Sequence, residues 1–286
     1  MEQEINTDTW DLVIRPQGRW FDLHLNDLWR YRDLVLLFVR RDFVAQFKQT
    51  ILGPAWFVIQ PLFTTIVFTI IFGNIANLST DRLPKVLFYL SGNVMWMYFS
   101  GVLTATSNTF AGNAHLFGKV YFPRLAVPLS VSISALLKFG LQICFFLAFL
   151  AFYLVTGANV RVTSAALLFP VLVLIMGALA LGLGIIFSSL TTKYRDLRFL
   201  LDFGVRLAMY ATPVIFPLSS ITGGRLRLVL LFNPMTPIIE TFRLGFLGQG
   251  TLHWGWLGYS AGFAVVSMLG GVMIFNRIER TFMDTV

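Results

Sequence analysis

Hydrophobic positions in this chain come in long unbroken blocks separated by short polar stretches. None of Asp, Glu, Lys or Arg occurs in 49–80, 86–118, 139–160, 162–192, 207–224 or 254–276. A helix needs about 20 mostly apolar residues to cross the hydrocarbon core of a bilayer. The strands of a membrane barrel alternate apolar and polar residues, and these blocks do not. The pattern predicts an all-α polytopic membrane protein with six transmembrane helices, at about 51–73, 86–110, 127–156, 165–190, 199–217 and 254–276.

The residues inside the blocks refine the picture. Gly53-Pro54 opens the first helix, where proline is tolerated, and Pro61 should kink it. The second is flecked with Ser91, Gly92, Asn93, Ser100, Thr104, Thr106, Ser107 and Asn108, the small and polar types that face other helices rather than lipid. On the third, Ser130, Ser134, Lys138 and Gln142 step by four and share a face. A charge such as Lys138 inside the membrane costs at least ~2.5 kcal/mol, so it either lines a polar path or snorkels and pairs within the bundle. Gly177, Gly182 and Gly184 suit close packing of the fourth. On the fifth, Asp202 is spaced to pair with Arg198 and Arg206, Tyr210 continues the stripe, and Pro213 and Pro217 break the outer end. Between the fifth and sixth helices, 226–232 and 238–247 are apolar but too short to cross, with Asn233-Pro234-Met235-Thr236-Pro237 between them. Two short re-entrant helices within 218–247 fit best, since such backbone survives only where protein or a cavity covers it. Glu240 and Arg243 are spaced to pair there. Gly258 and Gly262 form a Gly-x-x-x-Gly on the sixth helix.

The polar stretches divide the chain into an N-terminal arm with an amphipathic helix (1–50) and a six-helix transmembrane bundle (51–286). Over 27–48, Arg30, Asp33, Arg40, Arg41 and Lys48 fall on one arc at 100° per residue, and Leu28, Val35, Leu36, Val39, Phe43 and Phe47 on the opposite one. A basic face opposite an aromatic-rich apolar face marks a helix lying in the membrane surface. Residues 111–126, between the second and third helices, carry Lys119 and Arg124 and read as one or two helical turns ended by Phe122-Pro123. With the N-terminus inside, the inner segments hold 14 Lys and Arg and the outer ones 6. That bias places both termini, and 111–126, in the cytosol.

Composition adds limits. Of 286 residues, 56% are hydrophobic and 13% charged, about half the charged share of a soluble domain. The net charge of +8 follows from the basic cytosolic loops rather than from nucleic-acid binding. Cys144 is the single cysteine, so no internal disulfide exists. Residues 1–11 lack a basic segment followed by an apolar core, so no cleaved signal peptide is expected. The run from Gly112 to Val120 has the wrong spacing for a phosphate loop. His24, His115 and His253 are isolated in sequence, and no metal site is expected. Intramembrane acids are almost missing, with only Asp202 near a helix end, which disfavours a proton-driven pump. The energy should come from another polypeptide.

Several stretches together resemble the membrane (permease) subunits of ABC transporters that export polysaccharide, of the O-antigen and teichoic-acid type. They are Leu28-Trp29-Arg30-Tyr31-Arg32-Asp33-Leu34, residues 48–56, Gln60-Pro61, Lys119-Val120-Tyr121-Phe122-Pro123-Arg124, Lys193-Tyr194-Arg195-Asp196 and Asn233-Pro234-Met235. The resemblance implies a bacterial inner-membrane homodimer paired with two cytosolic ATPase subunits. ATP and Mg would bind those subunits, with no cofactor in this chain and no enzymatic activity of its own. It implies that 27–48 is an interface helix and 111–126 a coupling helix that docks on the ATPase, through Asn113, His115, Leu116, Phe117, Lys119, Tyr121, Phe122, Pro123 and Arg124. The implied substrate is a lipid-linked polysaccharide. The alternatives are a permease for drugs or small lipids and, third, a membrane glycosyltransferase; for the last, no acidic cluster lies near a membrane face.

A sugar chain slides best along aromatic faces and exchangeable hydrogen bonds. Phe57, Phe63, Trp96, Tyr98, Lys138, Asp202, Arg206 and Tyr210 are the candidate channel residues, although phenylalanine is abundant throughout and lipid or core packing is the commoner account for any one aromatic. Arg30, Arg40, Arg41 and Lys48 either hold the pyrophosphate of a lipid carrier or anchor the helix to anionic membrane lipids.

Overall fold

The computed structural model describes residues 25–48, 50–110, 112–113, 122–194, 196–221 and 223–282. Their regular structure is helical, ten α-helices in all. Helices α1 (Leu25–Arg30) and α2 (Arg32–Phe47) stand where one amphipathic helix was expected, because Tyr31 leaves helical geometry at φ −93°, ψ 19°. Val35, Phe38 and Val39 are buried, whereas Leu36, assigned to the apolar arc, is exposed. The residues assigned to the basic arc, Arg30, Asp33, Arg40, Arg41 and Lys48, are exposed.

Five stretches are long and apolar enough to cross a membrane: Gly53–Ile75, Lys85–Ser107, Ala126–Val155, Ser164–Thr191 and Trp254–Arg277. The first comprises a short 3-10 turn, then α3 (Trp56–Phe68), then a π-helical end over Thr69–Ile75. The others contain α4 (Lys85–Ser107), α5 (Ala126–Val155), α6 (Phe169–Lys193) and α10 (Trp254–Phe282). The stretch expected as a span at 199–217 contains α7 (Leu197–Tyr210), 14 residues long. It rises about 21 Å, against about 30 Å of hydrocarbon. Its end lies shortly before Pro213, which cannot continue a helix. Helices α8 (Gly224–Phe232) and α9 (Met235–Leu247) are the two short ones expected after it.

Helix α4 is central. Of its most apolar window 78% is buried, against 11% for the stretch containing α3, so α3 lies at the edge with a wide face free. The fourth and sixth apolar blocks pack most closely. A Cβ at Gly182 of α6 would lie 2.6 Å from the backbone of Met268 in α10, so only glycine permits this approach. By contrast, Gly258 and Gly262 have nothing within 4 Å, and that motif packs on no described helix of this chain.

Several carbonyls freed along these helices are answered by a side chain from elsewhere. Pro61 has no N–H for the carbonyl of Phe57, four residues back, and Gln142 Nε2 of α5 donates to that carbonyl at 3.3 Å. Lys85 Nζ donates to Gly73 O at 2.6 Å where the π-helical end unwinds. After α7, Asn233 Nδ2 donates to Ala211 O and to Thr212 Oγ1, while its Oδ1 accepts the N–H of Met235. Arg243 of α9 does most. It is 2% exposed and donates to the carbonyls of Pro213, Val214 and Phe88 and to Ser91 Oγ. Its guanidinium carbon lies 3.8 Å from the centroid of the Phe88 ring, and Glu240 Oε1 is 4.0 Å away. One side chain thus ties α9 to α4 and to the turn after α7.

Removing one member of a buried, hydrogen-bonded charge pair typically costs about 3–5 kcal/mol. Arg243→Ala should therefore lower the thermal midpoint of the purified protein sharply, read by fluorescence-detected gel filtration after heating. Arg243→Lys should rescue little, because an ammonium cannot span the same carbonyls. Gly92→Ala, whose Cβ would meet Arg243 Nη2 at 2.8 Å, should destabilise in the same assay.

Candidate functional site: a polar cavity beside the central helix

Because α3 and α7 lie at the edge of the bundle, they leave a cavity of about 1050 Å³ against α4, with α2 and α5 completing the wall. Its chemistry is mixed. Phe57 and Phe68 of α3, Trp96 and Tyr98 of α4 and Phe139 of α5 supply rings. Gln46, Gln60 and Gln142 supply amides, and Thr64, Ser100, Thr104, Ser134 and Tyr210 supply hydroxyls. Asp42, Lys138, Asp202 and Arg206 supply charge. Among the described residues, the buried Ser134 Oγ has no hydrogen-bond partner.

Local structure places each group. The four-residue step of Ser134, Lys138 and Gln142 puts all three on the cavity face of α5. Lys138 Nζ lies 5.5 Å from the centroid of the Phe57 ring, and Phe57 is the second residue of α3. Lys138 is therefore level with the beginning of the first apolar stretch, because α5 starts well before it, at Ala126. The Phe57 ring packs on Phe47 and Phe43 of α2, with centroids 4.9 and 6.5 Å away. Tyr98 and Phe139 form the floor, their centroids 4.7 Å apart.

The cavity brings together seven of the residues singled out as channel candidates: Phe57, Trp96, Tyr98, Lys138, Asp202, Arg206 and Tyr210. Phe63 is not among its lining residues and is 63% exposed. Asp202 makes no ion pair within 4.0 Å with Arg198 or Arg206 among the described residues, although the spacing allows one. An exposed helical pair is worth little against side-chain entropy, so both groups stay available to the cavity. Sequence reasoning missed Gln46 and Gln60 as lining residues. Gln60 had a signal, its place just before Pro61 on a helix otherwise rich in apolar residues.

All four interface-helix cations, Arg30, Arg40, Arg41 and Lys48, are exposed, and the contacts of Arg41 are defined. Its Nη2 and Nε lie 2.8 and 2.9 Å from Asp42 Oδ1, and its guanidinium lies 4.7 Å from the Phe38 ring. Of the proposed docking stretch, Asn113 donates to Thr109 O at 2.9 Å, and Phe122 is buried against Phe38 with centroids 5.7 Å apart. Pro123 and Arg124 are half-buried. His115, Leu116, Phe117, Lys119 and Tyr121 lie outside the described residues.

The ABC-2 type transporter family matches residues 33–247, from α2 through α9. The chain belongs to this family. As an ABC-2 chain it is similar over nearly its whole length to three curated relatives. It is 26% identical to the O-antigen export system permease protein RfbA of Klebsiella pneumoniae, over 88% of this chain and 94% of that one. It is 27% identical to the protein of that name in Myxococcus xanthus, over 92% and 98%. It is 22% identical to the polysialic acid transport protein KpsM of Escherichia coli, over 86% and 93%. The match covers every helix that lines the cavity of this ABC-2 protein.

A water-filled cavity predicts a simple pattern of thiol reactivity. With Cys144 changed to Ser, Ser100→Cys and Ala105→Cys should react readily with a charged, water-soluble thiosulfonate. Leu174→Cys, 71% exposed on the apolar outside of α6, should not, because the reactive thiolate does not form in hydrocarbon. Equal labelling at all three positions, read by mass shift, would mean that the cavity is not an aqueous path.

Proposed function

We propose that this chain is the membrane subunit of an ATP-driven exporter that carries a lipid-linked polysaccharide out of the bacterial cytoplasm across the inner membrane. The observation that carries the reading is the cavity lining. Rings interleaved with amides and hydroxyls suit sugars, whose apolar faces stack and whose hydroxyls exchange partners. A site for drugs or small lipids would be mostly apolar. Family membership and the names of the relatives, O-antigen export permeases and a polysialic acid transport protein, point the same way.

On this reading the chain crosses the membrane six times, with both termini in the cytosol. The stretch of α7 and the turns after it, about 199–217, makes the remaining pass. Helices α8 and α9 re-enter from the outer side within 218–247. Two copies face each other across the free sides of α3 and α7, so that two cavities join into one path. The energy comes from two cytosolic ATPase subunits, which bind ATP and Mg, and this chain is not itself an enzyme. The stretch 111–126, with Asn113, His115, Leu116, Phe117, Lys119, Tyr121, Phe122, Pro123 and Arg124, docks on the ATPase and transmits its motion. Arg30, Arg40, Arg41 and Lys48 gather the anionic end of the carrier at the inner surface, where each basic residue contributes about 1 kcal/mol of attraction to anionic headgroups.

Co-expression with the cognate ATPase and purification through a tag on this chain test the reading. The ATPase should co-purify with the wild type. The Phe122→Ala, Arg124→Ala double variant should still reach the membrane but lose the ATPase or its coupled export, read as polysaccharide at the cell surface. A wild-type chain that binds no ATPase would sink the proposed energy source and bring the glycosyltransferase alternative forward.

A further inference from the structure

Helix α2 touches both the end of the proposed docking stretch and the wall of the cavity. Phe38 and Phe122 meet edge to face, and both are buried, at 8% and 7% exposure. The Phe38 ring also carries the Arg41 guanidinium, and Arg41 grips Asp42 through two nitrogens. Asp42 lies one turn beyond Phe38, lines the cavity, and its charge acts on Lys138 across it. A second route runs beside the first. Phe43 and Phe47 of α2 pack on Phe57, whose ring lies beneath the Lys138 ammonium. Lys138 itself has no carboxylate within 4.0 Å among the described residues, so its donors are not committed to an ion pair.

We propose that Lys138 is a substrate-facing cation whose position is set by α2, with Phe38 and Arg41 as positioning residues that connect Phe122 to the cavity. The physical case rests on stiffness. A close-packed ring pair has no void to absorb a displacement, and a single helical turn between Phe38 and Asp42 moves as a unit. A shift of Phe122 therefore reaches Asp42 and Phe57 together, the charge and the ring that act on the ammonium. In one setting Lys138 offers its donors to substrate oxygens, and in the other it withdraws toward Asp42. The substrate would thus be gripped and released in step with the partner subunit. This rests on the reading that the stretch ending at Arg124 docks on the ATPase.

The test uses membrane vesicles holding the whole permease–ATPase complex, with ATP-driven transfer of lipid-linked polysaccharide as the readout. Phe38→Ala and Lys138→Met should each lower transfer by about tenfold, within the range of ordinary coupling energies, while the ATPase remains bound. In the double variant the loss should stay within about twofold of the worse single, because residues in one linked network are not additive. Phe38→Tyr, which keeps a ring under Arg41, should retain transfer, and Phe38→Leu, which fills the space without a ring, should not. Losses that multiply to about a hundredfold, as for independent sites, overturn the proposal. So does loss of ATPase binding in Phe38→Ala, or full transfer in Phe38→Leu. A wild-type complex that hydrolyses ATP but moves no polysaccharide overturns the export reading and this inference with it.

Discussion

Backbone carbonyls without a helical partner are the constraint on which this architecture rests. Between Ala211 and Thr236 the chain leaves and re-enters helix repeatedly. In water the freed carbonyls would be solvated, whereas in an apolar setting each one left bare costs several kcal/mol. The chain meets that demand with side chains rather than with sheet or continuous helix. Arg243 takes two carbonyls of the turn after α7 and one of α4. Asn233 takes Ala211 O, Thr236 takes Leu230 O, Tyr259 takes Phe232 O, and Ser260 takes Pro234 O. A charged arginine is an expensive donor to bury, but its planar fork reaches several acceptors at once, and Glu240 nearby offsets its charge.

These bonds also explain why a cavity can persist beside α4. Its faces are assigned to different neighbours. Phe88 and Ser91 engage Arg243, Asn93 donates to Pro61 O in α3, and Trp96 and Tyr98 look into the cavity. Helix α3 is held at the carbonyls of Pro61 and Phe57 by Asn93 and Gln142, two polar side chains reaching a helix that is otherwise little buried. Pro61 and the cavity are thus linked, since the proline leaves the carbonyl of Phe57 without its helical donor and the amide that answers it comes from the cavity wall.

The helices were legible in the sequence because span length and charge exclusion are local, one-dimensional signals. The expected 86–110 and 127–156 correspond to Lys85–Ser107 and Ala126–Val155. Less legible was anything that depends on a partner distant in sequence. The interface helix is broken at Tyr31, a residue with no breaker signature, and Leu36, placed on its apolar arc, is exposed while Phe38, placed on neither arc, is buried. The pairing of Asp202 with its arginines was allowed by spacing, yet a solvated helix face gives it too little energy to form. Phe63 could not be told from Phe57, since phenylalanine is spread along every apolar block and only the three-dimensional rotation of α3 separates them. The carbonyl clamps were invisible, because nothing near Gln142 or Arg243 in sequence announces an acceptor many residues away.

The lining of the cavity sets a bound on how it can work. A neutral hydrogen bond exchanged for one with water nets about 1 kcal/mol, and an aromatic contact contributes a similar amount. A polymer held by several such contacts is retained, but shifting it by one sugar breaks and remakes them nearly in step, so the barrier to sliding stays far below the sum. A single buried ion pair would instead have to be lost outright at every step. The amides and hydroxyls of this wall, with Lys138, Asp202 and Arg206 in no ion pair among the described residues and only Asp42 bridged to Arg41, match the first regime. Direction must then be imposed from outside the cavity, and α2, which bears on the wall at Phe57 and on Phe122 below it, is the element placed to impose it.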